Sequence, residues 1–162
     1  MYRLTTSLPY MLNRVGVRMG ELFSKRLTPY GITLQMYRVL AALSERRDQR
    51  LSDLGEMTSI EISTLSRLVG TMKQMGLISR DRLPSDERTV RINLTPKGTE
   101  LAEELMPQAA HYEDVITQSL SADEVSTLKD NLRAIQGRLA ELEAENAALL
   151  EAAAKANARN SA

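Results

Sequence analysis

The sequence predicts a mainly helical chain carrying one small β-hairpin. Three observations lead there. Apolar residues recur at three- and four-residue steps over most of the 162 residues, strict alternation is confined to Val90, Ile92 and Leu94, and the polar stretch PSDER separates that run from LISRDRL.

Taken in order, Leu4, Leu8, Met11, Leu12, Val15, Met19, Leu22 and Phe23 form the buried stripe of a long first helix, which should stop before Thr28–Pro29 because the residue preceding a proline is pushed out of the α region. Thr33 is placed to cap a second helix with the stripe Met36, Val39, Leu40 and Leu43, ended by the polar ERRDQR at 45–50. Leu51, Leu54 and Met57 mark a short third helix, Thr58–Ser59 a turn, and Leu65, Leu68, Val69, Met72 and Met75 the buried face of a fourth. This is helix-turn-helix spacing. On the fourth helix Ser63, Arg67, Gly70 and Gln74 point away from the buried stripe, with Thr64 and Thr71 beside them. A small, polar, cationic face of this kind can enter a major groove; the same pattern also suits an ordinary solvated helix face. Gly76 can end the helix. The hairpin that follows is then a wing, with Arg80, Arg82, Arg88 and Arg91 set against Asp81, Asp86 and Glu87, and narrow minor grooves attract arginine. Thr95 and Pro96 read as a cap and first helical residue, Pro107 as a kink within the fifth helix, and Ser121 with Glu124 as the capping box of a sixth.

Composition removes several functions. With no cysteine and one histidine, a disulfide framework, a cysteine metal cluster, a thiol nucleophile and a thiol redox sensor are excluded, and neither a metal site nor a cofactor is expected. Adjacent carboxylates such as Glu103/Glu104 and Asp123/Glu124 suit salt bridges and caps better than acid–base work, and no P-loop or dinucleotide glycine pattern occurs, so no enzyme is expected. No apolar run reaches eighteen residues and charge is scattered through the start of the chain, so neither a membrane span nor a cleaved leader is expected and the chain reads as cytoplasmic. The zero net charge conceals a gradient: residues 1–62 carry net +3, residues 63–97 net +4 and residues 98–162 net −7. A basic front joined to an acidic tail suits a polyanion-facing module with an assembly element attached, or helices whose surface charge differs by chance.

From about Thr33 to Gly98 the residues resemble the MarR (multiple antibiotic resistance regulator) family of winged helix-turn-helix transcription factors. LSDLGEMTSIEISTLSRLV is similar to the family's helix-turn-helix, MGLISR to its turn into the wing, and SDERTVRINLTPKG to its D-x-R wing followed by a strand and the L-T-x-x-G helix start. One departure is Ile62, where a polar or charged residue is common. The resemblance implies that the helix holding Ser63, Thr64 and Arg67, with Gln74 further along the same face, reads the major groove of double-stranded DNA, that Arg88 enters the flanking minor groove, and that Asp86 braces the wing. It also implies a helical dimerisation module.

The fold expected is therefore mainly α with a small β-hairpin wing, a winged helix-turn-helix plus helical dimerisation module. Residues 1–32 would supply the N-terminal helix of that module, 33–98 the DNA-binding domain, and 99–162 the C-terminal dimerisation helices with an acidic, Ala-rich tail. The homodimer contacts expected are Leu8 and Leu12 with Leu128, Leu132, Ile135, Leu139 and Leu142. Leu128, Leu132, Ile135, Leu139, Leu142, Asn146 and Leu149 occupy successive d and a positions of a heptad, which suits either a parallel zipper or a stripe packed on the first helix of the same or partner chain. Beyond Leu150 the tail should project or fray.

The function expected is a transcriptional regulator, a repressor, that binds a pseudo-palindromic operator as a homodimer. Many members of the resembled family are released from DNA by small aromatic acids or related anions. Tyr10, Arg14, Tyr37, Arg38, His111 and Tyr112 are the candidates for holding a small aromatic acid or thioester effector, since tyrosines offer flat faces and arginine suits a carboxylate. The same residues also suit surface arginines and packing tyrosines. A protein-interaction adaptor built on a winged helix is the alternative function, and the salt dependence of DNA binding separates the two.

Overall fold

The computed structural model of the chain describes residues 2–83 and 86–160, with side chains described at 2–81 and 90–154. The chain divides into two compact units, Met1–Glu113 and Asp114–Ala162.

In the first unit a 3₁₀ turn at Leu4–Thr6 precedes α1 (Leu8–Leu27). The helix thus begins after Leu4, not at it. Ser7 donates its hydroxyl to the Leu4 carbonyl at 2.8 Å and closes the turn, while Pro9 fits the first helical turn, where no amide N–H is needed. The helix ends at Leu27 as expected, and Gly31 (φ +66°) takes the left-handed conformation that glycine adopts without strain. The buried stripe expected along α1 is only partly realised. Phe23 and Leu27 are buried, whereas Leu4, Leu8, Met11, Leu12, Val15 and Leu22 are exposed, because nothing described in this one chain covers them.

α2 (Leu34–Glu45) is capped by Thr33, whose hydroxyl accepts from the Met36 amide at 3.2 Å, and buries Met36, Val39, Leu40 and Leu43. α3 (Leu51–Thr58) follows. Thr58 belongs to this helix rather than to the turn, since its hydroxyl donates back to the Leu54 carbonyl; Ser59 (φ 54°) makes the turn. Met57, expected inside, is 37% exposed; Leu54 is buried as expected, together with Gly55 and Thr58. α4 (Ile62–Gln74) buries Leu65, Val69 and Met72, with Leu68 and Met75 half-buried, and Gly76 at φ +73° turns the chain out of it.

β1 (Ile78–Leu83) and β2 (Asp86–Leu94) form an antiparallel hairpin in register from Ile78–Leu94 to Arg82–Val90, with an irregularity before Leu83–Asp86. Strand pairing therefore reaches Asp86, inside the stretch 84–88 expected as a loop. Gln49 pairs with Ile92 through two backbone hydrogen bonds of 2.9 and 3.3 Å, adding a short third rung to the sheet. Its side-chain amide donates to the carbonyls of Ala42 and Arg46, tying the end of α2 to the hairpin.

α5 (Pro96–Thr117) starts with Pro96 at its first position and Thr95 as its cap, the Thr95 hydroxyl accepting from the Gly98 amide at 3.1 Å, and it continues past Pro107. Ala102 and Leu105 close the core formed by α1 to α4 with Leu77, Ile78 and Ile92.

In the second unit α6 (Ala122–Asn160) opens with the expected capping box. The Ser121 amide donates to Glu124 at 2.8 Å and the Glu124 amide to the Ser121 hydroxyl at 3.3 Å. The helix continues beyond Leu150 to Asn160, and EAAAKANARN consists mostly of good helix formers. Leu128, Leu132, Leu139 and Leu142 are exposed and Ile135 half-buried. No described helix is long and apolar enough to cross a membrane.

Candidate nucleic-acid interface

α3 is set by Asp53, whose carboxylate accepts from the Arg50 amide at 2.9 Å; that bond above all holds its pKa below the usual carboxylate value. Three residues of turn lead to α4. Ile62, the family departure, is explained here. A Cβ on Gly55 would lie 2.7 Å from the Ile62 Cδ1, so the missing side chain on α3 makes room for an apolar residue at the start of α4.

The carboxylate that begins α4 is Glu61, which carried no signal in the sequence. Oε1 accepts from the Ser63 amide at 2.9 Å and Oε2 from the Thr64 amide at 3.0 Å, while the Ser63 hydroxyl donates to the same carboxylate. These hydrogen bonds, the Ser63 hydroxyl first, pull the Glu61 pKa from 4.5 down to about 2. A group whose pKa falls on folding contributes stability that is present above its unfolded pKa and lost as pH drops through the folded value. This cap should accordingly weaken only in strong acid.

Of the residues expected to read DNA, the structure puts Ser63, Thr64, Arg67 and Gln74 on α4, all exposed. Leu65, Val69 and Met72 anchor the opposite side of the helix. The Ser63 hydroxyl has its one proton on Glu61 and so meets other groups as an acceptor. Thr71 donates to the Arg67 carbonyl at 3.2 Å. The backbones of Asp86 and Arg88 belong to β2; their side chains lie outside the described residues. Arg91 does not project from the wing: its guanidinium donates to the Asp48 carbonyl at 2.8 Å, and Asn93 exchanges hydrogen bonds with Asp48 at 2.7 and 2.8 Å. Both fasten the segment after α2 to the wing's base.

The effector candidates divide. Phe23 receives Tyr37 and Tyr112 edge-to-face, with ring centroids 4.8 and 5.2 Å away, so both tyrosines pack, and burial pushes the Tyr37 hydroxyl above its usual pKa. His111 and Tyr112 line a cleft of about 420 Å³ together with Arg26, Tyr30, Pro107 and Gln108. Tyr30 donates to Glu104 at 2.7 Å and accepts from Gln108 at 3.0 Å. Tyr10 and Arg14 are hydrogen-bonded to each other at 3.1 Å and are not among the lining residues. At 1.5 Å per residue they lie roughly 13–20 Å along α1 from Phe23. Arg38 is exposed on α2 and is absent from the lining too. Arg26, Tyr30 and Gln108 were missed in the sequence; the i, i+4 pair Glu104–Gln108 was the available hint.

A family described as "Transcriptional regulator SarA/Rot" matches residues 21–105, from within α1 to within α5. The multiple antibiotic resistance protein MarR of Salmonella typhimurium is 30% identical over 129 residues, 78% of this chain and 86% of that protein. Among solved structures, BpsR of Bordetella bronchiseptica, whose DNA binding is regulated by 6-hydroxynicotinic acid, shares 25% identity at a TM-score of 0.75, covering 84% of this chain and 97% of that one. A mutant MarR from Escherichia coli complexed with operator DNA shares 25% identity at a TM-score of 0.70, covering 79% and 92%. The exposed polar face of α4, the hairpin behind it and these likenesses lead to one assignment: the chain belongs to the MarR family of winged helix-turn-helix, DNA-binding transcriptional regulators.

Proposed function

We propose that this chain is a homodimeric, cytoplasmic repressor that binds an inverted-repeat operator and is released by a small aromatic acid. The observation carrying the DNA-reading part is α4, where Thr64, Arg67 and Gln74 face outward from a helix whose other side is anchored by Leu65, Val69 and Met72. Arg88 on β2 is proposed to enter the minor groove, with Asp86 bracing it. In a two-fold dimer the two α4 helices would meet half-sites about 34–36 Å apart. The exposed leucines of α1 and α6 supply the pairing surfaces, so residues 1–32 and 99–162 serve dimerisation and residues 33–98 serve DNA.

Replacing Arg67 by alanine should cost about 1–3 kcal/mol of operator binding and relax preference at one position per half-site, as expected of a lost bidentate contact to guanine. Fluorescence anisotropy on the operator at two salt concentrations checks this. Unchanged affinity in a folded variant, or a parent affinity insensitive to salt, rules the reading out.

For the effector, the cleft at Arg26, Tyr30, His111 and Tyr112 pairs a cation with flat rings, which suits an aromatic carboxylate, and BpsR responds to one. A ligand bound only by the folded state raises the melting temperature by mass action. A panel of hydroxylated benzoic and nicotinic acids and their thioesters should contain compounds that both raise it and release the operator. Arg26→Ala should abolish both responses; a panel with neither response removes the aromatic-acid assignment.

A further inference from the structure

The first turn of α4 is closed by a carboxylate that nothing in the interior requires. Glu61 is exposed, and glutamate is not among the preferred N-caps, which are Ser, Thr, Asp and Asn. Its two oxygens accept from the Ser63 amide, the Thr64 amide and the Ser63 hydroxyl. An ionised carboxylate offers about four lone-pair sites; the fourth faces only the weaker contact of the Thr64 side chain, which an external donor can displace.

Two consequences follow for a duplex. A helix N-terminus ordinarily attracts phosphate through its free amides and positive dipole end; here the Ser63 and Thr64 amides are already taken by a negative charge, which opposes a phosphate at the same place. The remaining acceptor site belongs to the part of a recognition helix whose residues contact base edges. Of the groups displayed in the major groove, only the amino groups of cytosine and adenine donate; guanine O6 and N7 and thymine O4 accept. The Ser63 hydroxyl strengthens this bias, because its proton is spent on Glu61. Glu61 and Ser63 together form a patch that seeks donors, and Arg67, one turn further along, is a donor that seeks guanine.

Resting on the DNA-reading role of α4, we propose that Glu61 is a specificity-determining residue, which selects an amino-bearing base at one position of each half-site and keeps phosphate off the helix N-terminus. The carboxylate thus weakens binding to DNA of arbitrary sequence while sharpening the choice among sequences.

The test selects bound duplexes from a random pool with the full-length parent, Glu61→Gln and Glu61→Ser. Glutamine keeps the side chain's length, removes the charge and adds a donor. Serine is a preferred N-cap, so it keeps the helix start without a carboxylate. The parent should enrich cytosine or adenine at one position by about tenfold over guanine and thymine. Both variants should lose that preference, keep the guanine preference assigned to Arg67, and bind mixed-sequence DNA several-fold more tightly. Variants that select the parent's consensus with equal strength at every position would show that Glu61 only caps the helix. A parent that enriches no consensus takes down the DNA-reading role and this proposal together, whereas an intact consensus indifferent to Glu61 removes this proposal alone. Circular dichroism melts of both variants establish that the proteins compared are folded.

Discussion

Replacing Gly98 by alanine should destabilise the winged unit by about 3–5 kcal/mol, the upper end of what single substitutions do. A Cβ on Gly98 would lie 1.9 Å from the Leu77 carbonyl oxygen and 2.9 Å from its carbon. Both are backbone atoms, so no side chain can rotate away, and the first turn of α5 must part from the turn between α4 and β1. Three hydrogen bonds hold that contact, and a fourth closes the cap of α5 beside it. The Thr95 amide donates to Leu77 at 3.1 Å, the Thr95 hydroxyl to Gly76 at 2.6 Å, Lys97 Nζ to the Met75 carbonyl at 2.9 Å, and the Gly98 amide to Thr95 at 3.1 Å. Overpacking costs about 1–3 kcal/mol where neighbours can adjust, and each net hydrogen bond lost adds about 0.5–1.5 kcal/mol. Gly137 supplies the contrast. It is an exposed residue within α6 with open space around it, so Gly137→Ala should stabilise by up to about 1 kcal/mol. Urea denaturation followed by circular dichroism reads both shifts; a Gly98→Ala midpoint equal to the parent's would show that α5 does not sit this close to Leu77.

The parts of this architecture that could be read in the sequence are those set by neighbours a few residues apart. Thr33 before an apolar stripe, Thr95–Pro96, Ser121 with Glu124, and Gly76 after a helix are local signals, and each appears in the structure where the residues put it. Glu61 gave no local signal because glutamate is an unusual cap and the polar pair Thr58–Ser59 already marks a turn. Arg91 stands in the sequence among the wing's arginines and carboxylates, yet its partner Asp48 lies 43 residues earlier, a separation no periodicity reports. The effector residues show the same limit. The i, i+4 spacing of Tyr10 and Arg14 correctly placed them on one face of α1, but which element faces them depends on tertiary packing, and the cleft with His111 and Tyr112 draws on Arg26 and Tyr30 instead. Periodicity along α1 and α6 likewise identified apolar rows without identifying what covers them.

In the proposed dimer a second copy of the chain covers them. Leu132→Asp combined with Leu139→Asp should convert the protein to monomers with sharply reduced operator affinity, whereas truncation after Leu150 should leave a dimer of nearly unchanged stability. Leu132 is 37% and Leu139 49% exposed in the single chain, and they share a row with Leu128 and Leu142. Burying a leucine fully is worth about 1.5–3 kcal/mol, and a two-fold dimer would bury four such side chains from these two positions. Aspartate in their place would have to desolvate a charge at each. The substitutions should leave each monomer folded, because neither side chain belongs to the buried core. Loss of pairing then removes the second half-site contact, which in a dimer is made at high effective concentration, so affinity should fall by about 10²–10⁴. Beyond Leu150 the helix offers mainly alanine, with little apolar surface to contribute. Sedimentation velocity of both variants distinguishes the outcomes. A double variant that stays dimeric would place the contact on other exposed residues, with Leu8, Met11 and Leu12 of α1 the next to substitute, since they too lie uncovered in the single chain.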